Sequence, residues 1–338
     1  MEMKRRDFIA LIGGTLIGAP MARAQDQDQP EQRTRTIGIL TGNVEADIDA
    51  QARVRAFKES LYAKREGEKD NLHFEIRWPG PDASLQQRCA EELVSVGPDV
   101  MLATSTATTR ALRKATTTIP IVFVGLSDPV ATGIVSDLAR PEANVTGFML
   151  YEHTMAGKWV SLLKEMVPSL ERVGLFFNPE TAPYASHYLR TAWELGEQLH
   201  VAIVAISVRR ADEIEPAIAR FAGSGRGGLI VLPDGGFVAR NRTAVIEAAA
   251  GHKLPAVYGT RFYVANGGLM SYGADLTQQF RDSAEYADRI LRGATPADLP
   301  IQFSTKFDLV INERTAQALG LTIPQDLLLD AELVEEVQ

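Results

Sequence analysis

Five hydroxyl-bearing residues in six positions, Thr104-Ser105-Thr106-Ala107-Thr108-Thr109, follow the apolar run Val100-Met101-Leu102-Ala103. Hydroxyls and backbone N–H groups at the start of a helix suit a carboxylate, because the orphan donors and the helix dipole both favour negative charge. Ordinary capping by Ser or Thr explains one or two such hydroxyls and not five. Thr104, Ser105 and Thr106 are therefore candidates for holding a ligand carboxylate. Ser127 ends the next apolar run, ahead of Asp128-Pro129. That pair reads as an N-cap with proline at the first helical position. In the second half, Asn178 in Phe177-Asn178-Pro179 and Asp234 in Pro233-Asp234-Gly235-Gly236 stand at equivalent strand ends. Asp234 is a candidate partner for a ligand ammonium, a charge-assisted hydrogen bond of about 1.5 to 3 kcal/mol. The same four residues also make a complete turn sequence in their own right. Tyr258, Ser271 and Tyr272 would add aromatic area and hydroxyls to a cleft wall.

Signals for bond-making chemistry are weak. Gly223-Ser224-Gly225-Arg226-Gly227-Gly228 precedes a strand and lacks the Gly-Lys-Ser/Thr ending of a phosphate loop. The five histidines show neither H-E-x-x-H nor an i, i+4 pair, so no metal site is expected. The single cysteine, Cys89, sits in a helical pattern without a nearby histidine and reads as a buried structural thiol. One cysteine also excludes an internal disulfide and a cysteine zinc cluster. No catalytic residue and no cofactor are expected.

Strands and helices that alternate from Thr36 onward must position these loops. Short β-rich runs at 36–40, 72–77, 100–103, 119–124, 144–150, 173–177, 202–206, 228–232 and 256–258 are separated by helical patterns. Such alternation is the signature of βαβ units and a mainly parallel sheet, whose ligands bind at the carboxyl ends of the strands. The expected fold class is α/β, two doubly wound parallel-sheet lobes joined by hinge crossings. Lobe one is expected to comprise 36–151 plus 272–330, and lobe two 152–271, with crossings near 150, 270 and 305.

The 338 residues carry 35 basic and 43 acidic side chains, a formal charge of −8. An acidic chain without a basic stripe lacks the footprint of nucleic-acid binding. Residues 1–24 read as a signal peptide. Lys4-Arg5-Arg6 precede a short, glycine-interrupted apolar run that ends in Ala22-Arg23-Ala24, too short for a membrane span. The paired arginines followed by Asp7-Phe8-Ile9 resemble a twin-arginine leader, the class that exports folded proteins. Cleavage after Ala24 places the mature chain in the periplasm with a charge of −10.

Two separated motifs carry a family likeness. Ser127-Asp128-Pro129-Val130, Gly133-Ile134-Val135, Leu138-Ala139-Arg140-Pro141 and Asn144-Val145-Thr146-Gly147 form the first, and the run from Ile311 to Pro324 forms the second. Together they resemble the ABC transporter substrate-binding proteins that include tryptophan- and tyrosine-binding members. One departure is Pro141-Glu142-Ala143-Asn144, where the family usually has glycine before the asparagine; the loop Thr41-Gly42-Asn43-Val44-Glu45 is also less typical and is expected to help set specificity.

This resemblance implies a type I periplasmic-binding fold, a Venus flytrap that closes on a small molecule and presents it to an inner-membrane ABC permease. It also implies an amino-acid ligand, aromatic ones included, or a similar small polar metabolite. Carried onto this chain, it points to Thr104, Ser105, Thr106 and Ser127 in one lobe and to Asn178, Asp234 and Tyr258 in the other. A monomer is expected of such a shuttle. An exported cofactor-dependent enzyme and a ligand-sensing module for a membrane receptor are the alternatives. Converting Thr104 and Thr106 to valine is expected to weaken binding in a calorimetric titration and to leave the melting temperature nearly unchanged. A large loss of stability with intact affinity identifies capping instead.

Overall fold

The computed structural model describes residues 34–65, 71–141, 144–304 and 306–334; the leader, and Glu142 and Ala143 of the motif turn, lie outside them. In chain order the elements begin β1 (Arg35–Leu40), α1 (Ile48–Lys64), β2 (Leu72–Arg77), α2 (Ala83–Val96), β3 (Val100–Ala103), α3 (Thr106–Ala115), β4 (Ile121–Ser127) and β5 (Val145–Tyr151). There follow α4 (Met155–Met166), β6 (Arg172–Phe177), α5 (Ala185–Leu199), β7 (Ala202–Ser207), α6 (Ile214–Ala222), β8 (Gly227–Val231), α7 (Phe237–Arg240), α8 (Arg242–Gly251) and β9 (Ala256–Tyr258). The chain closes with α9 (Arg261–Ala265), β10 (Met270–Ala274), α10 (Leu276–Leu291), β11 (Gln302–Phe303), β12 (Phe307–Asn312), α11 (Glu313–Ala318), α12 (Gln325–Asp330) and β13 (Ala331–Val334).

Two sheets result, in the orders β11-β5-β4-β3-β1-β2 and β13-β12-β10-β9-β8-β6-β7. Every neighbouring pair is parallel except β10 with β12. Strands in such sheets are covered on both faces, so they read as continuous apolar runs. Val100-Met101-Leu102-Ala103 is such a run, and all four residues are buried. Helices start where a side chain can accept an orphan N–H, as Asp47, Asp82, Ser105, Asp275 and Asn312 do. This is the type I periplasmic-binding architecture.

The expected allocation of 272–330 to the first lobe needs correction. Only α10 and β11 return there. Strand β10 stays in the second sheet and pairs antiparallel with β12, so Leu309, Ile311, Ala316 and Leu327 finish the second core under α4. Periodicity identifies a strand but says nothing about which sheet accepts it. The chain therefore crosses between lobes after Tyr151, after Ala274 and between Phe303 and Phe307.

The motif 144–147 turns out to brace the first lobe. Asn144 Nδ2 donates to the Ile119 carbonyl at 2.6 Å, and the Thr146 hydroxyl donates to the Leu299 carbonyl at 2.5 Å. A Cβ on Gly147 would stand 2.1 Å from the Phe123 carbonyl oxygen, so only glycine fits. Helix α10 lays Phe280, Ala284, Ala287 and Leu291, an i, i+4, i+7, i+11 stripe, against Val54, Phe57 and Leu61 of α1. Gln279, buried at its start, donates to the Met149 carbonyl at 2.9 Å and accepts from Gly125 N at 3.3 Å. At the far end buried Asp288 accepts from Arg65 Nε at 2.8 Å and from Arg292 Nε at 2.9 Å. Asp288→Ala takes both of these charge-assisted hydrogen bonds out of the seam and should therefore cost about 1.5 to 3 kcal/mol, read as a fall of roughly 5 to 10 °C in the calorimetric midpoint.

Candidate functional site

The carboxyl ends of both sheets face each other across the junction of the lobes. At the end of β4, Asp128 adopts φ +45°, a left-handed conformation rare for a residue other than glycine. Its Oδ1 caps the following turn by accepting from Ala131 N at 3.0 Å. Its Oδ2 accepts no hydrogen bond among the described residues, and the residue as a whole is 9% exposed. Facing Ser127 and Asp128 are Tyr184 and Tyr188, at the start of α5 in the other lobe. Tyr184 donates to the Pro233 carbonyl. The Tyr188 hydroxyl is fully buried and has no partner. Burial pushes both phenols well above their ordinary pKa, the neighbouring carboxylates push the same way, and Ser127 opposes them. Both tyrosines stay neutral donors. An orphan buried hydroxyl costs roughly 1 to 3 kcal/mol, a debt that a ligand atom can remove.

At the end of β3, the five hydroxyls divide their work. Ser105 accepts from Thr108 N at 3.2 Å, Thr108 Oγ1 accepts from Ser105 N at 3.0 Å, and Thr109 donates to the Ser105 carbonyl at 2.8 Å. That reciprocal pair is a capping box with Thr at its third position. Thr104 Oγ1 accepts from Gly42 N at 3.0 Å, which leaves its own O–H available. Thr106 opens the helix, half-buried. The loop also touches the second lobe: a Cβ on Gly235 would lie 3.7 Å from Ser105 Cβ.

In the second lobe Asn178 is committed to its own turn. Its Oδ1 accepts from Glu180 N at 2.8 Å and Thr181 N at 3.1 Å, and its Nδ2 donates to the Arg209 carbonyl at 3.2 Å. Asp234 accepts from the Thr181 hydroxyl, from Gly236 N at 2.7 Å and from Val238 N at 3.1 Å. Burial nonetheless raises its pKa above the usual carboxylate range, against the lowering by those donors. Tyr258 is buried and stacks on Tyr263 at 4.7 Å, beneath the strand ends. Ser271 is buried with its hydroxyl unpartnered. Tyr272 stacks on Phe307 at 5.8 Å with Lys158 Nζ 5.5 Å from its ring centre, outside the strand-end cluster.

The structure thus brings Ser105, Ser127 and Asp234 to one junction, with Thr104 beside them, and gives Asn178 and Tyr258 supporting places. Sequence reasoning did not single out Tyr151, Thr181, Tyr184, Tyr188 or Tyr263. The signal for Tyr184 and Tyr188 was their position just after the Asn178-Pro179 strand end, where a helix start meets the cleft. Among the described residues no group of three or more His, Cys, Asp or Glu is placed to hold a metal ion. None of their helices is long and apolar enough to cross a membrane.

The chain is similar to a tyrosine-binding protein of Clostridioides difficile strain R20291, 22% identical over 330 residues that cover 94% of each chain. Its fold matches a conserved domain protein of Vibrio cholerae O1 biovar El Tor with a TM-score of 0.81 and 29% identity, covering 90% of this chain and all of the other. It also matches a Streptococcus pneumoniae ABC domain in complex with L-Trp, TM-score 0.80 and 23% identity, over 89% of this chain and all of that one. Residues 43–335 fit the family model described as ABC transporter substrate binding protein, and the chain belongs to that family.

Proposed function

We propose that this chain is the periplasmic solute receptor of an ABC importer and that it captures an amino acid, with aromatic ones favoured, between its two lobes. The observation that carries this reading is the buried, unpartnered Tyr188 Oη at the junction, set beside Ser127 and near Asp128, whose Oδ2 accepts no hydrogen bond among the described residues. A ligand ammonium would complete Asp128, and a ligand oxygen or nitrogen would complete the tyrosine hydroxyl. Aromatic walls are at hand, since Tyr184 packs on Tyr188 at 5.7 Å and Tyr188 on Trp159 at 6.0 Å. The tyrosine named for the Clostridioides difficile relative and the L-Trp named for the Streptococcus pneumoniae structure support this ligand class.

Binding works by differential contact. Ser127 and Asp128 come from one lobe and Tyr184 and Tyr188 from the other, so both sets meet one ligand only when the lobes are together. The ligand thereby shifts the population toward closure. Asp234, whose oxygens already serve Thr181 and two backbone N–H groups, shapes the facing loop. The leader at 1–24 delivers the receptor to the periplasm, where a monomer presents its cargo to the permease.

Titration calorimetry with L-tyrosine and L-tryptophan tests this reading; binding of neither would overturn it. Asp128→Ala should weaken binding roughly 10- to 150-fold, and Tyr188→Phe roughly 2- to 12-fold with unchanged or improved stability. Asp234→Ala should chiefly lower the melting temperature. If Asp234→Ala instead abolishes affinity while Asp128→Ala does not, the ammonium belongs to Asp234.

A further inference from the structure

Between the ends of β1 and β3, the face of α1 and the start of α10 lies a cavity of about 30 Å³, walled by Thr41, Asn43, Arg53, Thr104, Leu276 and Phe280. That volume has room for roughly two waters or one group of carboxylate size. Arg53 brings a guanidinium to it that is half out of water and has neither an ion pair nor a hydrogen bond among the described residues. The nearest acids do not neutralise it by contact. Asp47 caps α1 through Oδ1, accepting from Ala50 N at 3.0 Å, and its Oδ2 accepts from Asn43 Nδ2 at 2.9 Å. Asp49 points to solvent. From the second lobe the facing group is another cation, Arg242, which lies over the Phe262 ring at 4.6 Å and donates to the Ala239 carbonyl at 3.1 Å.

Burial lowers the Arg53 pKa most, Asp47 and Asp49 act the other way, and Arg242 adds to the lowering. A cation held partly out of water without a partner, with a second cation across the cleft, costs stability. On the cavity wall the Thr104 hydroxyl accepts from Gly42 N and keeps its proton for an acceptor. A guanidinium and a free O–H around a space of this size are the donor set of a carboxylate.

We propose that this cavity is an anion subsite of the ligand cleft, in which Arg53 and Thr104 take a carboxylate of the ligand and the bound charge offsets the opposition of Arg53 and Arg242 as the lobes close. This rests on the amino-acid reading and adds the group that holds the acid end. The cleft then selects the free acid and rejects the amide, because the amide leaves the two cations facing each other.

The test compares wild type, Arg53→Met and Arg53→Lys in calorimetric titrations with L-tyrosine, L-tyrosinamide, L-tryptophan and L-tryptophanamide, alongside melts without ligand. Wild type should prefer acid to amide by roughly 10- to 150-fold. Arg53→Met should lose that preference, Arg53→Lys should keep part of it, and unliganded Arg53→Met should melt no lower than wild type. An Arg53→Met variant that keeps the preference, or that melts much lower with affinity intact, overturns the subsite while leaving the amino-acid reading in place. If wild type binds neither acids nor amides, the amino-acid reading fails and melts in sodium acetate against sodium chloride at equal ionic strength decide the subsite. Stabilisation by acetate that Arg53→Met lacks upholds it, and no difference between the two proteins overturns it.

Discussion

Where β10 passes the end of β9 there is no room for a side chain. A Cβ on Gly273 would stand 1.7 Å from the Gly259 carbonyl oxygen, which already accepts a hydrogen bond from the Tyr151 hydroxyl. This contact fixes Tyr151 at the point where the chain leaves the first sheet, and a series of rings leads from it. Tyr151 meets Trp159 edge-on at 5.7 Å, Trp159 stacks on Tyr188 at 6.0 Å, and Tyr188 tilts against Tyr184 at 5.7 Å. Trp159 is held in turn by its Nε1 donating to the Tyr272 carbonyl at 2.8 Å. The position of the unpartnered Tyr188 hydroxyl is therefore set by the crossing itself, through rigid aromatic contacts with few rotamers.

Much of the fold was legible because a parallel sheet covered on both faces writes each strand as an apolar run and each strand end as a turn. The strand ends at 104, 127, 178 and 234 follow from that alone. Pairing was not legible. Nothing in Phe307–Asn312 distinguishes a strand of the first sheet from one that pairs antiparallel with β10, since the choice is made by shape complementarity across the crossing.

The site was legible in its loops and less so in its side chains. Hydroxyls at 104–109 announced a helix start, but only coordinates separate Ser105, Thr108 and Thr109, which satisfy one another, from Thr104, whose proton is free. Asp128-Pro129 reads as a helix cap, whereas Oδ1 caps a turn that no helix follows. The strained backbone and the idle Oδ2 have no sequence signature. Tyr184 and Tyr188, four residues apart, look like an ordinary core stripe. Arg53 sits among the exposed charges of α1 and looks like surface. The residues with unmet bonding capacity are thus the ones whose type alone says least.

Helix α10 has a further consequence, for the order in which the protein can fold. It is tied to α1 by Lys64 with Glu285 and by Arg65 with Asp288, partners 221 and 223 residues apart. The strands β6 to β9 and their helices, in contrast, come from one unbroken stretch between Arg172 and Tyr258. Contacts between distant segments wait on costly loop closure. Although the first lobe starts first in the chain, its Val54, Phe57 and Leu61 therefore stay uncovered until residue 291 has been made, and the second core in turn waits for Leu309 to Leu327. During synthesis the N-terminal half is the segment that depends on protection from aggregation.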